Sequence, residues 1–323
     1  MRRMGEGKTQ DEGRVEATLA AVLQSNLHIG GRAPVYTRVT SPVASPMHSG
    51  VDGDGWRVDM GGDSFFLKLH DGDTADFIDL GASFKAAAAA AIVGVAPKLL
   101  WSDLGLGAAM WEYKGMDWRT ALFDDSWNPD VVPKVAGTLR RLHGSHSFGV
   151  TRSIFDTLER YVELARGRGV KLPGDFGWML GNVRDVAAAM LAAGADRCPC
   201  HGDLIASNIM IGPPRDAIFV DWDEAGDADP YWDIGVYMAE AFPFDEPALA
   251  MIEEYSGRAD RRLLARARLY GIATDLAWAV RSLILAHQAR RRDVEYFKYG
   301  QWRALRCRVA LHDPKFEQML RSL

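Results

Sequence analysis

The stretch Cys200-His201-Gly202-Asp203-Leu204-Ile205-Ala206-Ser207-Asn208-Ile209-Met210 gathers carboxylate, amide and imidazole groups in one short run. A second acidic run, Val220-Asp221-Trp222-Asp223-Glu224-Ala225-Gly226, lies shortly downstream, followed by Asp229-Pro230-Tyr231-Trp232-Asp233-Ile234-Gly235. Two carboxylates and an amide oxygen suit a hard cation such as magnesium, which prefers oxygen donors. Moving a phosphoryl group onto a hydroxyl needs such a metal site, with a carboxylate beside it to accept or orient the hydroxyl proton. Asp203, Asn208 and Asp221 supply that set. The spacing of five from Asp203 to Asn208 suits a loop that returns to the same cleft. Asp221 follows the apolar run Ala217-Ile218-Phe219-Val220, which sets it at a strand end. Asp and Asn are also common turn and capping residues. That explanation is enough for any one of the three, but not for the ordered set.

These side chains need elements that hold them. Residues 13–28 have an apolar side built from Val15, Leu19, Val22 and Leu23, which predicts a helix. The polar residues 1–12 before it read as frayed. From 34 to 70 the texture becomes short β-prone runs. Trp56 to Met60 alternates as a strand, Gly61-Gly62-Asp63 is a hairpin turn, and Ser64 to Leu69 is the return strand. A helix over 75–93 carries six alanines from Ala86 to Ala91 and ends at Gly94 and Pro97. Strands follow at Lys98 to Trp101 and Ala108 to Tyr113. After a linker at Lys114 to Asp117, helices are predicted at 131–145, 153–167, 176–194, 229–242, 246–256, 260–289 and 293–311. The acidic region interrupts them with β-like runs at 208–211 and 218–222. A β-rich first part (1–114) and a helical second part (115–323) give an α+β chain of two lobes with a cleft between, a frequent ligand site.

Composition narrows the function. At 323 residues the chain is about twice an ordinary domain in length. With 38 basic against 43 acidic residues it lacks the basic excess of a nucleic-acid binder. No apolar run approaches the roughly 20 residues that span a bilayer, and Met1 to Lys8 has no apolar core after it. A cytoplasmic protein is expected. Cys198 and Cys200 stand too close in Cys-Pro-Cys for an ordinary bridge, and no second Cys or His pair at ligand spacing supports zinc.

The stretch 199–235 resembles the aminoglycoside phosphotransferase and choline kinase superfamily, relatives of the protein kinases. The likeness rests on His201-Gly202-Asp203, Asn208 five residues on, Asp221 on the next strand, and Asp229-Pro230-Tyr231-Trp232-Asp233. Pro199-Cys200-His201, Leu172 to Trp178, Asp221 to Gly226 and the run from Leu269 to Ser282 are similar to the bacterial choline and ethanolamine kinase-like branch. The resemblance extends over about 34–310. It implies a bilobal kinase-like fold, with a small antiparallel-sheet N-lobe carrying one main helix and a larger helical C-lobe. It also implies ATP and Mg2+. Asp203 would be the catalytic base and His201 the brace of the catalytic loop. Asn208 and Asp221 would be metal ligands, Asp223 a second metal or substrate contact, and Asp233 the support of the loop backbone.

For the nucleotide, Lys68 on Phe66-Leu67-Lys68-Leu69 is the expected phosphate-binding cation. Ser45, Ser49 and amides near Gly50 are the phosphate-loop candidates, and Met110, Glu112 and Tyr113 the hinge that meets adenine. Ser83 stands where the resemblance places a lysine-orienting Glu, so Asp79, one turn earlier, is the partner candidate for Lys68. For the acceptor, aromatic faces with carboxylates hold quaternary ammonium ions. Asp275, Trp278 and Ser282 share a helix face, Tyr296 and Tyr299 follow, and Tyr231 and Trp232 lie near Asp233. Arg281 stands where choline kinases place a second tryptophan, and a guanidinium there opposes a cationic ligand. The expected partner is a small-molecule alcohol, choline- or ethanolamine-like. An aminoglycoside or sugar-type hydroxyl is the alternative, and a non-catalytic nucleotide-binding pseudokinase the alternative from outside enzymes. Neither nucleic acid nor membrane is expected as a partner, and the chain would act as a monomer or homodimer.

Overall fold

The computed structural model describes residues 1–7, 9–25, 33–39, 51–213, 216–242, 244–291 and 294–323. Its first part is an antiparallel sheet with two helices. In chain order these are β1 (Arg2–Arg3), α1 (Gln10–Gln24), β2 (Val35–Val39), β3 (Gly53–Met60), β4 (Asp63–His70), α2 (Leu80–Ile92), β5 (Leu99–Asp103) and β6 (Ala108–Glu112). The strands run β1-β2-β3-β4-β6-β5 across the sheet. The alternation in the sequence explains why. Trp56, Val58 and Met60 of β3 and Phe65, Leu67 and Leu69 of β4 face one way and bury against Val15, Leu19 and Val22 of α1. Gly61 and Gly62 both take positive φ, which a tight hairpin turn needs. The register sets Lys68 opposite Gly55 on β3 and Ala109 on β6.

Two expectations change here. The first residues are not frayed, because Arg2 and Arg3 pair with β2 and Thr9 with Glu12 forms a capping box on α1. The helix expected from residue 75 begins at Leu80, because the Asp79 carboxylate accepts the Ala82 amide as its N-cap.

The second part is mostly helical. It comprises β7 (Arg119–Thr120), α3 (Val132–His143), α4 (Ile154–Gly167), α5 (Phe176–Ala193), β8 (Cys198–Cys200), β9 (Ile209–Gly212), β10 (Asp216–Phe219), β11 (Gly226–Ala228), α6 (Pro230–Ala241), α7 (Asp245–Ser256), α8 (Arg261–Gln288), α9 (Tyr296–Leu311) and α10 (Phe316–Arg321). The short strands β7, β8 and β11 and the helix α10 were not foreseen, since runs of two to six residues leave little periodic signal. β10 ends at Phe219 rather than Trp222, because Asp221 turns to a φ of 68°.

By length and composition α8 could cross a membrane, contrary to the sequence expectation, yet 94% of its apolar window is buried inside the fold. It is the central post of the helical core, touched by α4, α6 and α9. Where α6 passes α8, Gly235 and Gly271 face each other backbone to backbone, and a Cβ on Gly235 would overlap the Ala267 carbonyl. The alanine face of α2 (Ala86, Ala87, Ala90) joins the apolar cluster of α3, which links the two parts.

Candidate active site

The catalytic-loop candidates lie between β8 and β9. Gly202 has a φ of +82°, and a Cβ there would stand 2.5 Å from the Glu224 carbonyl oxygen, so the loop requires glycine. Asp233, fully buried on α6, accepts the His201 amide at 2.8 Å and the Gly202 amide at 2.7 Å. Its Oδ2 also meets His143 Nε2 at 3.1 Å. Burial alone would raise the Asp233 carboxyl, but His143 and these amides outweigh it and hold it below its usual value.

His201 is buried with both ring nitrogens engaged. Nε2 donates to the Val220 carbonyl at 2.9 Å, and Nδ1 accepts the Asp203 amide at 3.3 Å. Desolvation lowers its pKa, so it is a neutral brace. Neither nitrogen is left for proton transfer, which corrects its grouping with the catalytic residues.

Asp203 is partly exposed beside this brace. The Asn208 side-chain nitrogen donates to the Asp203 carbonyl at 2.8 Å and to its carboxylate at 3.1 Å. Asn208 also accepts the Val220 amide through its own carbonyl at 2.9 Å, which ties the segment carrying Asp221 to this loop. Burial pushes the Asp203 carboxyl well above its usual value, with Arg303 opposing and Glu224 and Asp221 adding to the rise. A carboxylate of raised pKa is a better proton acceptor.

Lys68 Nζ donates to Asp221 at 2.6 Å and to Asp223 at 2.7 Å. Burial would depress the ammonium, but the two acids hold it charged and well above its usual value. Asp223 is only 6% exposed. It also meets His70 Nε2 at 3.1 Å and accepts the Ser83 hydroxyl at 2.8 Å. Burial would raise Asp223, yet Lys68 and His70 together bring its carboxyl well below the usual range. Asp223 is thus a partner of Lys68, His70 and Ser83, and it shares the lysine with Asp221. Asp79 caps α2 instead of pairing with the lysine, which corrects that expectation.

The donor set fits a hard cation. With its nitrogen on Asp203, the Asn208 amide offers its oxygen, and the Asp221 carboxylate is 36% exposed. These two residues would hold magnesium. The positive φ at Asp221 is a strained conformation for a side-chain-bearing residue, of the kind found at functional sites.

Of the hinge candidates, Met110 is fully buried in the sheet core. The Glu112 amide is bonded to the Lys98 carbonyl and the Tyr113 amide to the Ser64 carbonyl. The Glu112 carboxylate binds Lys114 and the Lys98 amide. Those two amides are engaged within the sheet, so a hinge contact to adenine there would fall to backbone carbonyls. Ser45 and Ser49 lie outside the described residues.

Beside Gly202 is a cavity of about 10 Å³, lined by Tyr161, Glu224, Trp232, Trp278 and Arg281 among others. Trp232, Trp278 and Arg281 were expected there. Tyr161 and Glu224 were not, and neither was Asp52, which accepts a hydrogen bond from Arg281. Their partners come from distant segments, so no local pattern marks them. Four expected pocket residues have other work. Tyr231 packs on Tyr255. Tyr296 donates to the Val51 carbonyl at 3.1 Å. Tyr299 packs edge-on against Trp278. Asp275 is paired with Arg303 at 2.9 Å and Arg306 at 3.1 Å. Elsewhere, His143, Cys198 and Cys200 bring ligand atoms within 4.8 Å of one another, but both His143 nitrogens are engaged, by Tyr255 and Asp233.

Comparison with known proteins bears on the fold and the family. The choline/ethanolamine kinase family protein from Mesorhizobium loti shares the fold, with a TM-score of 0.78 at 23% identity over 97% of this chain and 98% of that one. Choline kinase LicA from Streptococcus pneumoniae also shares it, with a TM-score of 0.74 at 16% identity over 94% of this chain and 99% of that one. A structure of LicA in complex with AMP matches in the same way, with a TM-score of 0.73 at 16% identity over 94% of this chain and 99% of that one. Protein LicA of Haemophilus influenzae is 27% identical over 141 residues, 40% of this chain, and the match spans only 38% of that relative's length. A family model described as "Phosphotransferase enzyme family" matches residues 43–272, more than half of the molecule. With that match and the bilobal kinase-like fold, the chain belongs to the phosphotransferase enzyme family.

Proposed function

We propose that the protein transfers the γ-phosphoryl group of ATP, with Mg2+, to a hydroxyl of a small molecule. The observation that carries this reading is the junction of Asp203 with Asn208 at 3.1 Å, on a loop tied through Val220 to Asp221. Asp203, with its raised pKa, accepts or orients the hydroxyl proton. Lys68 binds the nucleotide phosphates, exchanging part of its present pairing with Asp221 for them. His201 and Asp233 hold the loop still, which matters because catalysis here is chiefly positioning and electrostatics. Magnesium on Asn208 and Asp221 supplies charge neutralisation at the phosphates when bound. A relative of the same fold that holds AMP supports an adenine nucleotide. The unbridged cysteines Cys198, Cys200 and Cys307 fit a reducing cytoplasm.

The resemblance to choline and ethanolamine kinases supports an amino-alcohol acceptor. The inward, acid-paired Arg281 favours a second reading, a sugar-type hydroxyl without positive charge. The test is ATP turnover across a panel of alcohols, with Asp203→Asn as control. Turnover by the native protein is expected with at least one alcohol, falling about 10²–10⁴-fold in the variant with ATP affinity kept. Full turnover by Asp203→Asn would overturn the assignment. No turnover by the native protein, with ligand binding indifferent to magnesium, would instead favour a nucleotide-binding pseudokinase.

A further inference from the structure

We propose that the recess beside the catalytic loop is a cation cage that the chain fills with its own Arg281, so the acceptor it serves carries no cationic head group. This deepens the phosphotransferase reading and rests on it for the word acceptor. Arg281 is 1% exposed on α8. Its guanidinium carbon stands 4.4 Å from the centre of the Trp278 ring and 5.1 Å from that of Phe77. One terminal nitrogen donates to Glu224 at 2.6 Å and the other to Asp52. Aromatic faces flanked by carboxylates are how proteins hold an alkylated ammonium ion. Here one internal cation engages all of them. Burial opposes the guanidinium charge, but Asp52 and Glu224 outweigh it, so the occupant is ionised.

Among the described residues, the acids facing the recess are already engaged, so a second cation finds no partner there. Arg303 stands 5.7 Å from the same Trp278 ring, and Asp275, the remaining acid on α8, is taken by Arg303 and Arg306. The cavity as it stands, about 10 Å³, holds one water molecule and excludes any larger ligand whatever its charge, so selection against a cation rests on the engaged acids and rings. What stays open chemically is the opposite of a cation site. The Tyr161 hydroxyl and Arg281 Nε both belong to residues lining the cavity, and among the described residues both are buried without a hydrogen-bond partner. Nε can only donate, and the tyrosine hydroxyl can donate as well as accept. Unpaired buried donors are costly, and an oxygen-bearing acceptor reaching the recess would satisfy them. The class is a hydroxyl compound with further oxygen acceptors and no positive charge, either a neutral polyol or a hydroxy acid.

The experiment reads binding first, without ATP, so it does not depend on turnover. Tetramethylammonium chloride is titrated calorimetrically into the native protein, Arg281→Ala and Arg281→Lys. The native protein and Arg281→Lys are expected to show no binding at millimolar concentrations, and Arg281→Ala to bind at least about tenfold more tightly, the cage now being vacant. Equal binding by native protein and Arg281→Ala, or none by a folded Arg281→Ala, would overturn the proposal. Should Arg281→Ala not fold, the native protein decides alone. With ATP and magnesium, choline and ethanolamine are expected to be inert, while glycerol (neutral arm) or glycerate (acidic arm) is phosphorylated. Turnover of choline refutes the cage assignment. Absence of all turnover with the binding pattern intact would sink the phosphotransferase reading and leave the cage standing.

Discussion

The Ser83 hydroxyl donates to the Asp223 carboxylate at 2.8 Å, joining two residues 140 positions apart. Ser83 occupies the helix position where the resemblance calls for a lysine-orienting glutamate, and Asp223, hydrogen-bonded to Ser83, reaches the same lysine. The charge needed beside Lys68 thus comes from the segment after β10 rather than from α2. Asp223→Ala should destabilise the protein by about 1–3 kcal/mol, since it leaves the buried Lys68 with Asp221 as its one remaining acid and takes the partner from His70 and Ser83, and should weaken ATP binding. Adding Ser83→Glu should restore much of the ATP affinity, because a longer acid on α2 can reach Lys68. Calorimetric ATP titration of both variants checks this. A magnesium requirement altered by Asp223→Ala, with no rescue by Ser83→Glu, would make Asp223 a metal ligand after all.

Asp221→Ala should abolish the strengthening of ATP binding by magnesium while leaving the fold intact. Without magnesium, ATP should bind it no worse than the native protein, because Lys68 loses one competing carboxylate. Asp221→Gly should behave the same toward the metal but be about 1 kcal/mol more stable than Asp221→Ala, since φ at this position is 68°. Binding isotherms with and without magnesium, and urea midpoints, separate the two effects.

Acid stability should report on Asp233. Its folded pKa lies below its unfolded value of about 3.8, with burial opposing and His143 and the loop amides prevailing. Ionised Asp233 is therefore favoured by folding. That stability is fully present above about pH 3.8 and is lost as pH falls through the folded pKa. Asp233→Asn should cost about 3 kcal/mol at pH 7, and the gap to the native protein should narrow below pH 4. Urea denaturation at both pH values measures it. A gap independent of pH would mean that the amides, not the charge, carry the interaction.

Gly202→Ala should lower kcat without removing ATP binding. The added Cβ meets the Glu224 carbonyl and would push Asp203 out of line, and the positive φ adds a cost of about 1–2 kcal/mol. Steady-state kinetics together with a melting curve distinguishes displacement of the loop from global unfolding.

The loop from His201 to Asn208 was legible in the sequence because its polar residues are close together and interrupt apolar periodicity. The long helices were legible for the converse reason: regular apolar spacing, with Gly and Pro at their ends. What escaped was pairing between remote segments. Asp223 reads as one more acid in Asp-Trp-Asp until Lys68, His70 and Ser83 are seen around it. Asp52 reads as a turn residue in a glycine-rich run until Arg281 is seen to reach it. Asp79 reads as an acid on a helix face, and only the start of α2 reveals it as a cap.

The meeting of Gly235 with Gly271 welds α6 to α8. Asp233, gripping the loop, rides on one helix, and Trp278 and Arg281, walling the recess, ride on the other. Loop support and recess wall are thus parts of a single anvil. A side chain at either glycine would part the two helices and so disturb the loop and the recess together.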